Sequence, residues 1–318
     1  MNDNEKKRKR LFDIYSDNLK LLNYSGLIKI DLKFGKTFIC PLCLNQFSEE
    51  ALDTNLSNFL TLEDVPPVAI GGSPLVLTCK SCNNTIGSQI DYHLITQMQD
   101  LEFLKGQPSS PRDARVLINE DLGVKGTLKF EGNGIYSVLI SNDNNNPKIV
   151  ADHISKIKKD EIVTTFFTKR KPILKEQIAL AILKTGYLLM YHKLGYTYLF
   201  DKSFNYYRHI LQNPKGNVNK IFFHQFKTHP ISKPYDTYIM SDRREKSFFI
   251  VFRVHTKTGF SRSFGIWLPI PGFSIERSIL SWQSQHITKK EIIFHSTPVS
   301  SINTVHETFN LNKFIYNS

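Results

Sequence analysis

Cysteine is scarce, with four residues in a chain of 318, too few for a disulfide scaffold. Long apolar runs are missing as well. The longest, IALAILKTGYLLMY from Ile178 to Tyr191, is interrupted by Lys184 and falls short of the roughly 20 apolar residues that cross a bilayer. No GxSxG elbow, Walker loop or dinucleotide-binding glycine pattern occurs, so serine-hydrolase, P-loop and Rossmann chemistry have no support. Internal repeats and long low-complexity linkers are absent. The start, MNDNEKKRKRLF, is polar and basic and lacks the apolar stretch of a secretory signal. These absences lead to the expectation of a soluble, cytoplasmic protein without a membrane partner. The run Lys6 to Arg10 suits a nuclear signal, a solvated tail or a DNA-touching arm equally well.

Acidic residues are in deficit: 29 against 41 basic ones, a formal charge of +12. Such a surface gains from phosphate contact and counterion release, so a polyanion is the expected partner. DNA is the first expectation and RNA the second, and a homodimer is left open. The hydrophobic content of 41 %, with 12 % aromatic, is enough for a substantial core and excludes global disorder.

Three segments are read along the chain. Residues 1–36 form a basic N-terminal arm that ends in a strand-like stretch, Ile28 to Phe34. Residues 37–105 form a cysteine-bearing module, and 110–318 an α+β domain of unknown role, with SSPRDARV (Ser109 to Val116) near the boundary. GTLKFEGNGIYSVLI reads as a hairpin, Lys175 to Lys193 as the clearest helix, and Asn205 to Leu211 as a short one. Strands are expected at Ile221–Phe226, Tyr238–Met240, Phe248–His255, Ser263–Leu268 and Glu291–Ser296. The predicted fold class is α+β: a small zinc-bound ββα-metal module followed by a mostly β C-terminal region with one or two packed helices.

The four cysteines fall as Cys40-x2-Cys43 and Cys79-x2-Cys82. Two such knuckles complete a closed four-thiolate shell, which leaves no open position for water and therefore predicts a structural zinc. Redox pairs and an iron–sulfur cluster are the competing readings.

Between and after the knuckles the sequence runs CPLCLNQF…LTLEDVPPVAIGGSPLVLTCKSCNNTIGSQIDYHL. This segment, residues 38–95, resembles the zinc-stapled HNH endonuclease family. The resemblance implies a ββα-metal fold that cuts phosphodiester bonds with one divalent ion; the acidic oxygens and one imidazole of Glu63, Asp64, Asp91 and His93 suit Mg²⁺ or Mn²⁺. It places Glu63 on the acidic metal ligand, Asp64 on the general-base histidine, and Asn83 on the helix position of a His or Asn ligand. Pro67, Gly71 and Gly72 match the following loop, Pro74 or its neighbours fall where a middle Asn would steady the hairpin, and Gly87 matches a small helix residue. The chain departs from the pattern in having no His at position 64 and no middle Asn. Asp91 and His93 complete the group, with His93 a substitute base.

On a regular helix Asn83, Gly87 and Asp91 share a face; His93 joins them only if the helix is interrupted near Gly87-Ser88. Plainer roles stand beside these. Glu63 and Asp64 could cap a turn, Asn83 could cap a helix, and Asp91 and His93 could be solvated. Basic clusters near aromatics (Lys156, Lys158, Lys159; Lys169, Arg170, Lys171; Arg243, Arg244, Lys246; Lys289, Lys290; with Phe166, Phe167, Phe248, Phe249 and Trp282) fit either a nucleic-acid groove or ordinary strand surfaces. The sequence therefore supports a metal-dependent endonuclease, with a non-catalytic nucleic-acid-binding protein as the alternative and a protein-interaction component third.

Overall fold

The computed structural model describes residues 2–118, 121–155, 163–167, 172–215, 218, 221–242, 245–280, 295–299 and 305–317. Of the basic clusters, Lys156, Lys158, Lys159, Lys169, Arg170, Lys171, Arg243, Arg244, Lys289 and Lys290 lie outside the described residues, as does Trp282.

The first element is a helix, α1 (Asp3–Tyr24). Asn2 and Glu5 close a capping box at its start, satisfying two of the backbone donors that a helix leaves open. Phe12, Tyr15, Leu19 and Leu22 are buried, and their spacing of three, four and three residues makes one apolar face. The basic run thus belongs to a helix with a packed side: Arg8 is buried and donates to the Leu60 carbonyl at 3.3 Å. Ile28 to Phe34, expected to be strand-like, has no strand. Its backbone is held instead by Asn23, whose side chain brackets Ile30 through both N–H and C=O.

The cysteine region follows. Short strands β1 (Phe38–Ile39) and β2 (Gln46–Phe47) pair antiparallel around the first knuckle. A longer hairpin, β3 (Leu60–Val65) and β4 (Ser73–Cys79), runs into α2 (Lys80–Ile86), a π turn (Gly87–Asp91) and α3 (Tyr92–Leu104). The hairpin loop explains the double glycine. Gly71 has a φ of +88°, and a Cβ on Gly72 would lie 1.4 Å from the Pro66 carbonyl oxygen, a separation no side chain tolerates.

By compactness the chain divides into two units: Met1–Leu94 with Leu174–Val254 and Ser261–Ser318, and Ile95–Ile173 with His255–Phe260. The second unit holds an open antiparallel sheet in the order β7-β6-β5-β8, from β5 (Pro111–Ile118), β6 (Asp121–Gly132), β7 (Ile135–Leu139) and β8 (Val163–Phe167). Helix α4 (Pro147–Ser155) packs Val150 against Val116 and Val124 of this sheet.

The first unit holds a second open sheet, order β13-β10-β11-β12-β9: β9 (Phe223–Phe226), β10 (Tyr235–Asp242), β11 (Glu245–His255), β12 (Ser261–Pro269) and β13 (His295–Pro298). Against it lies α5 (Lys175–Leu194), buried on almost every side. A side chain on Gly186 would approach Ile266 of β12 to 2.2 Å, so the glycine permits close approach of helix and sheet. Helices α6 (Asn205–Gln212) and α7 (Val305–Asn317) complete the described elements of this unit, with residues 275–280 also helical.

The expectation of a mostly β C-terminal region with one or two helices is therefore corrected. Helices α4 to α7 are distributed through the chain after the cysteines, and the fold is α+β with open sheets. The missed helix α4 is short and buries only Val150 and His153, so its nine residues span too few turns to display a helical period. Phe248 and Phe249 are buried core residues of β11, and Lys246 is buried with its ammonium on the Ile315 carbonyl of α7. None of the three lines an open groove.

The two glycines of the hairpin loop should separate experimentally. Gly71→Ala should carry the left-handed backbone cost of about 1–2 kcal/mol. Gly72→Ala should cost about 3 kcal/mol or more, read as a lower urea midpoint with full cooperativity.

Candidate functional site

Each cysteine pair is presented by a different device. In the first, Cys40 directly follows β1 and the chain turns back through Leu44, whose φ is +61°, with Leu44 N–H bonded to the Cys40 carbonyl at 2.9 Å and Cys40 N–H to the Asn45 carbonyl at 3.0 Å. In the second, Cys79 closes β4 and is the N-cap of α2, and Cys82 lies in the helix's first turn. A helix N-terminus favours the anionic thiolate over the thiol. The four Sγ atoms lie within 4.8 Å of one another, and Cys43 and Cys79 are 3.8 Å apart. A tetrahedron with metal–sulfur bonds of about 2.3 Å has edges of about 3.8 Å, so the donor set fits one ion. Three of the four are buried. Burial pushes the Cys40 thiol up, while hydrogen bonds from its neighbours hold Cys79 far down.

The first knuckle is gripped from outside. Tyr187 donates to the Pro41 carbonyl at 2.8 Å and Gln212 to the Leu42 carbonyl at 2.6 Å. Tyr196 Oη accepts from Ile39 N–H and donates to Ile39 C=O, at 2.8 and 2.7 Å. The buried backbone of a two-residue strand is thereby satisfied by side chains where a wide sheet would use neighbouring strands.

The second cluster lies on the hairpin and the helix after it. Glu63 is 3 % exposed and Asp91 9 %. Both contact the ammonium of Lys184, itself 2 % exposed, each at 2.7 Å. Thr78, across the hairpin from Thr61, donates its hydroxyl to Glu63 Oε2 at 3.1 Å. The other oxygen of the aspartate, Asp91 Oδ1, is buried and has no hydrogen-bond partner among the described residues. Two carboxylates thus share one ammonium, which leaves one negative charge in surplus. Burial raises Glu63 and Asp91 above the usual carboxylate range although Lys184 pulls both down. Burial alone would depress Lys184; attraction by Glu63 and Asp91 overrides it and raises the ammonium.

The remaining residues singled out from the sequence divide. Asn83 is not the helix cap, since Cys79 holds that place. Its amide nitrogen donates to Thr61 Oγ1 at 2.7 Å and the Leu62 carbonyl at 3.3 Å. A side chain on Gly87 would meet Asp91 Oδ2 at 3.5 Å and Asn83 Oδ1 at 3.8 Å, so both oxygens flank the glycine. Asp64 sits beside a bulge in the hairpin, where the register shifts between Glu63 and Asp64, and is partly exposed. Burial raises its carboxyl, against the pull of Lys7 and Lys184. His93 is turned elsewhere: its Nδ1 accepts from the Leu174 N–H at 3.2 Å. A neutral ring in that bond carries its proton on Nε2 and has no spare lone pair, so His93 is engaged as an acceptor here.

Sequence reasoning missed Lys184 altogether. Its signal was present, because it is the charge that interrupts the apolar stretch of α5. His192, two turns further along the same helix, is hydrogen-bonded to backbone at Leu75 of β4, and burial lowers its pKa. Its Nδ1 is buried without a partner among the described residues.

No family model, curated protein or solved structure matches this chain. The cysteine cluster establishes a site able to hold a metal ion. Among the described residues no helix is long and apolar enough to cross a membrane.

Each cluster has measurable consequences. Elemental analysis of the purified chain should find one zinc per molecule, absent from Cys79→Ser, and chelation should lower the melting temperature of the wild type. In the acidic cluster, Lys184→Met leaves two buried carboxylates uncompensated and should cost about 3–5 kcal/mol. Asp91→Asn should cost far less, since Glu63 still pairs the ammonium. The pH dependence has a definite sign. Raised carboxyl pKa values mean the folded state keeps protons that the unfolded state has released, so stability falls as pH rises from the unfolded values through the folded ones. The Lys184 contribution is complete below 10.5 and is lost as pH climbs through its raised folded value. Denaturant midpoints across pH should show the carboxylate slope in wild type and a flatter one in Glu63→Gln.

Proposed function

We propose that this protein is a metal-dependent, endonuclease-like hydrolase of phosphodiester bonds in DNA, or in RNA, with zinc as a structural ion. The observation that carries the reading is the meeting of Asp91 and Asn83 at Gly87, with Glu63 joined to Asp91 through the Lys184 ammonium, on a hairpin–helix segment braced by two CxxC pairs. Of these, Glu63, Asn83 and Gly87 are positions that the resemblance to HNH endonucleases assigns; Asp91 comes from the chain's own pattern of acidic residues. The surplus of 41 basic over 29 acidic residues supports a polyanionic substrate. A four-thiolate site suits a reducing compartment, and the cytoplasm is the location this reading assigns.

In this reading Asp64 stands at the place of the general base. Burial raises its carboxyl, the direction a proton acceptor working near neutral pH requires. Carboxylate and amide oxygens are the donors that Mg²⁺ or Mn²⁺ prefers, and Glu63, Asp91 and Asn83 supply them. The position between the two carboxylates is filled by the Lys184 ammonium, however, so the pair as arranged does not accommodate a divalent ion. That observation favours a second reading, in which the zinc-braced segment docks on nucleic acid without cutting it.

Zinc-loaded protein incubated with plasmid DNA and with RNA, over a titration of Mg²⁺ or Mn²⁺, distinguishes the two. Glu63→Gln/Asp64→Asn is the control, because the amides keep the volume of the side chains they replace. Metal-dependent cleavage that this variant loses establishes the hydrolase, with Asp64→Asn alone expected to slow it about 10²-fold. Salt-dependent binding by both proteins, without cleavage at any metal concentration, establishes docking.

A further inference from the structure

We propose that Lys184 is the resident cation of the Glu63–Asp91 pair, and that a divalent ion enters the pair only by displacing its ammonium. The inference deepens the proposed hydrolase reading by naming what sets the metal demand of that same site; its binding experiment does not depend on cleavage.

Three observations carry it. The ammonium lies 2.7 Å from Glu63 Oε1 and 2.7 Å from Asp91 Oδ2, with 2 % of the lysine side chain exposed. It therefore occupies the point equidistant from both carboxylates where a bridging cation would sit. Magnesium and manganese bind oxygen at about 2.1 Å, so an ion on those two oxygens would lie almost on top of the nitrogen, and two cations at such range repel strongly. Second, the ammonium does not exhaust the site. The cluster keeps a surplus negative charge, and Asp91 Oδ1 is buried with no partner among the described residues. Asn83 Oδ1 and Asp91 Oδ2 flank the same glycine. An unpaired buried carboxylate oxygen costs free energy until a cation or proton meets it. Third, Lys184 comes from outside the hairpin–helix segment. It belongs to α5, whose backbone is fixed by burial along its length, so displacement requires rotation of the lysine side chain alone.

The consequence is a site whose affinity for divalent ions is set by α5. With the ammonium in place, the pair presents one net negative charge and a crowded centre. Without it, two carboxylates face each other with nothing between them, and the Asn83 amide oxygen lies beside Asp91 at Gly87.

The test is a Mn²⁺ titration of the full-length, zinc-loaded chain, followed by loss of the free-ion electron paramagnetic resonance signal. Wild type should show no stoichiometric site tighter than millimolar, and Glu63→Gln should not change its uptake. Lys184→Met, close in length and uncharged, should gain one Mn²⁺ site at least tenfold tighter than wild type. That site should vanish in Lys184→Met/Glu63→Gln and be suppressed again in Lys184→Arg. Added Mn²⁺ should also raise the melting temperature of Lys184→Met more than that of wild type.

A folded Lys184→Met whose Mn²⁺ affinity equals or falls below that of wild type overturns the proposal. So does a tight wild-type site that Glu63→Gln removes, a result obtained whether or not Lys184→Met folds. Failure of the hydrolase reading is separate: a tightened Mn²⁺ site in Lys184→Met with no cleavage of DNA or RNA by any variant leaves the competition intact and removes the nuclease.

Discussion

A lysine ammonium buried to 2 % exposure has to be paired, because an isolated charge taken out of water costs far more than a domain's net stability. Lys184 meets that demand with carboxylates from two places, Glu63 on β3 and Asp91 at the end of the π turn. The pairing fixes the rotation of α5 against the hairpin, and other contacts depend on that rotation. With Lys184 turned to the hairpin, Gly186 faces Ile266 of β12, and the absent side chain lets helix and sheet close together. Tyr187, the next residue, reaches the carbonyl of Pro41 between the first two cysteines. One helix thus touches the acidic cluster, the sheet and the metal knuckle within four residues.

The metal knuckle needs this support. Strands of two residues make almost no ladder, and an isolated short hairpin is marginal in water. Side chains from beyond residue 180 satisfy its backbone, while thiolates on a metal would tie it to the start of α2. The apolar side of α1 adds to the same region, with Phe12 and Tyr15 against the ring of Phe38. Metal binding and packing would therefore act on the same few residues: an ion held by the four thiolates would fix the spacing between the knuckles, and Tyr187 and Tyr196 hold the backbone of the first knuckle.

The legible parts of the chain were those where one short pattern implies one geometry. Two CxxC pairs placed four sulfurs together. Asn133 and Gly134, both with positive φ, closed the β6–β7 hairpin where Gly-Asn-Gly had indicated a turn. The strand candidates at Phe248–His255 and Ser263–Leu268 fall within β11 and β12, where β-branched and aromatic residues are dense. Charge misled at both ends of the argument. The run Lys6 to Arg10 suggested a tail, yet a helix needs only one apolar face, and Arg8 itself is buried on the Leu60 carbonyl. Lys184 was noted as a break in an apolar stretch, because its partners lie 121 and 93 residues earlier in the chain (184 − 63 and 184 − 91). No local pattern encodes a pairing at such separation.

The π turn accounts for the least expected division, Asp91 inside the cluster and His93 outside it. On an ideal helix eight residues turn about 800°, leaving Asp91 about 80° away from Asn83. A π turn spends one extra residue on its turn, equivalent to winding back about 100°. That brings Asp91 nearly in line with Asn83 and over Gly87, where a Cβ would lie in van der Waals contact with an oxygen of each. His93, two residues further on, is carried to the opposite side and meets Leu174. The same insertion that buries the aspartate therefore removes the imidazole. Any chemistry at this cluster has to begin from two carboxylates, an amide and an ammonium, with Asp64 at the edge of the hairpin as the partly exposed acid beside them.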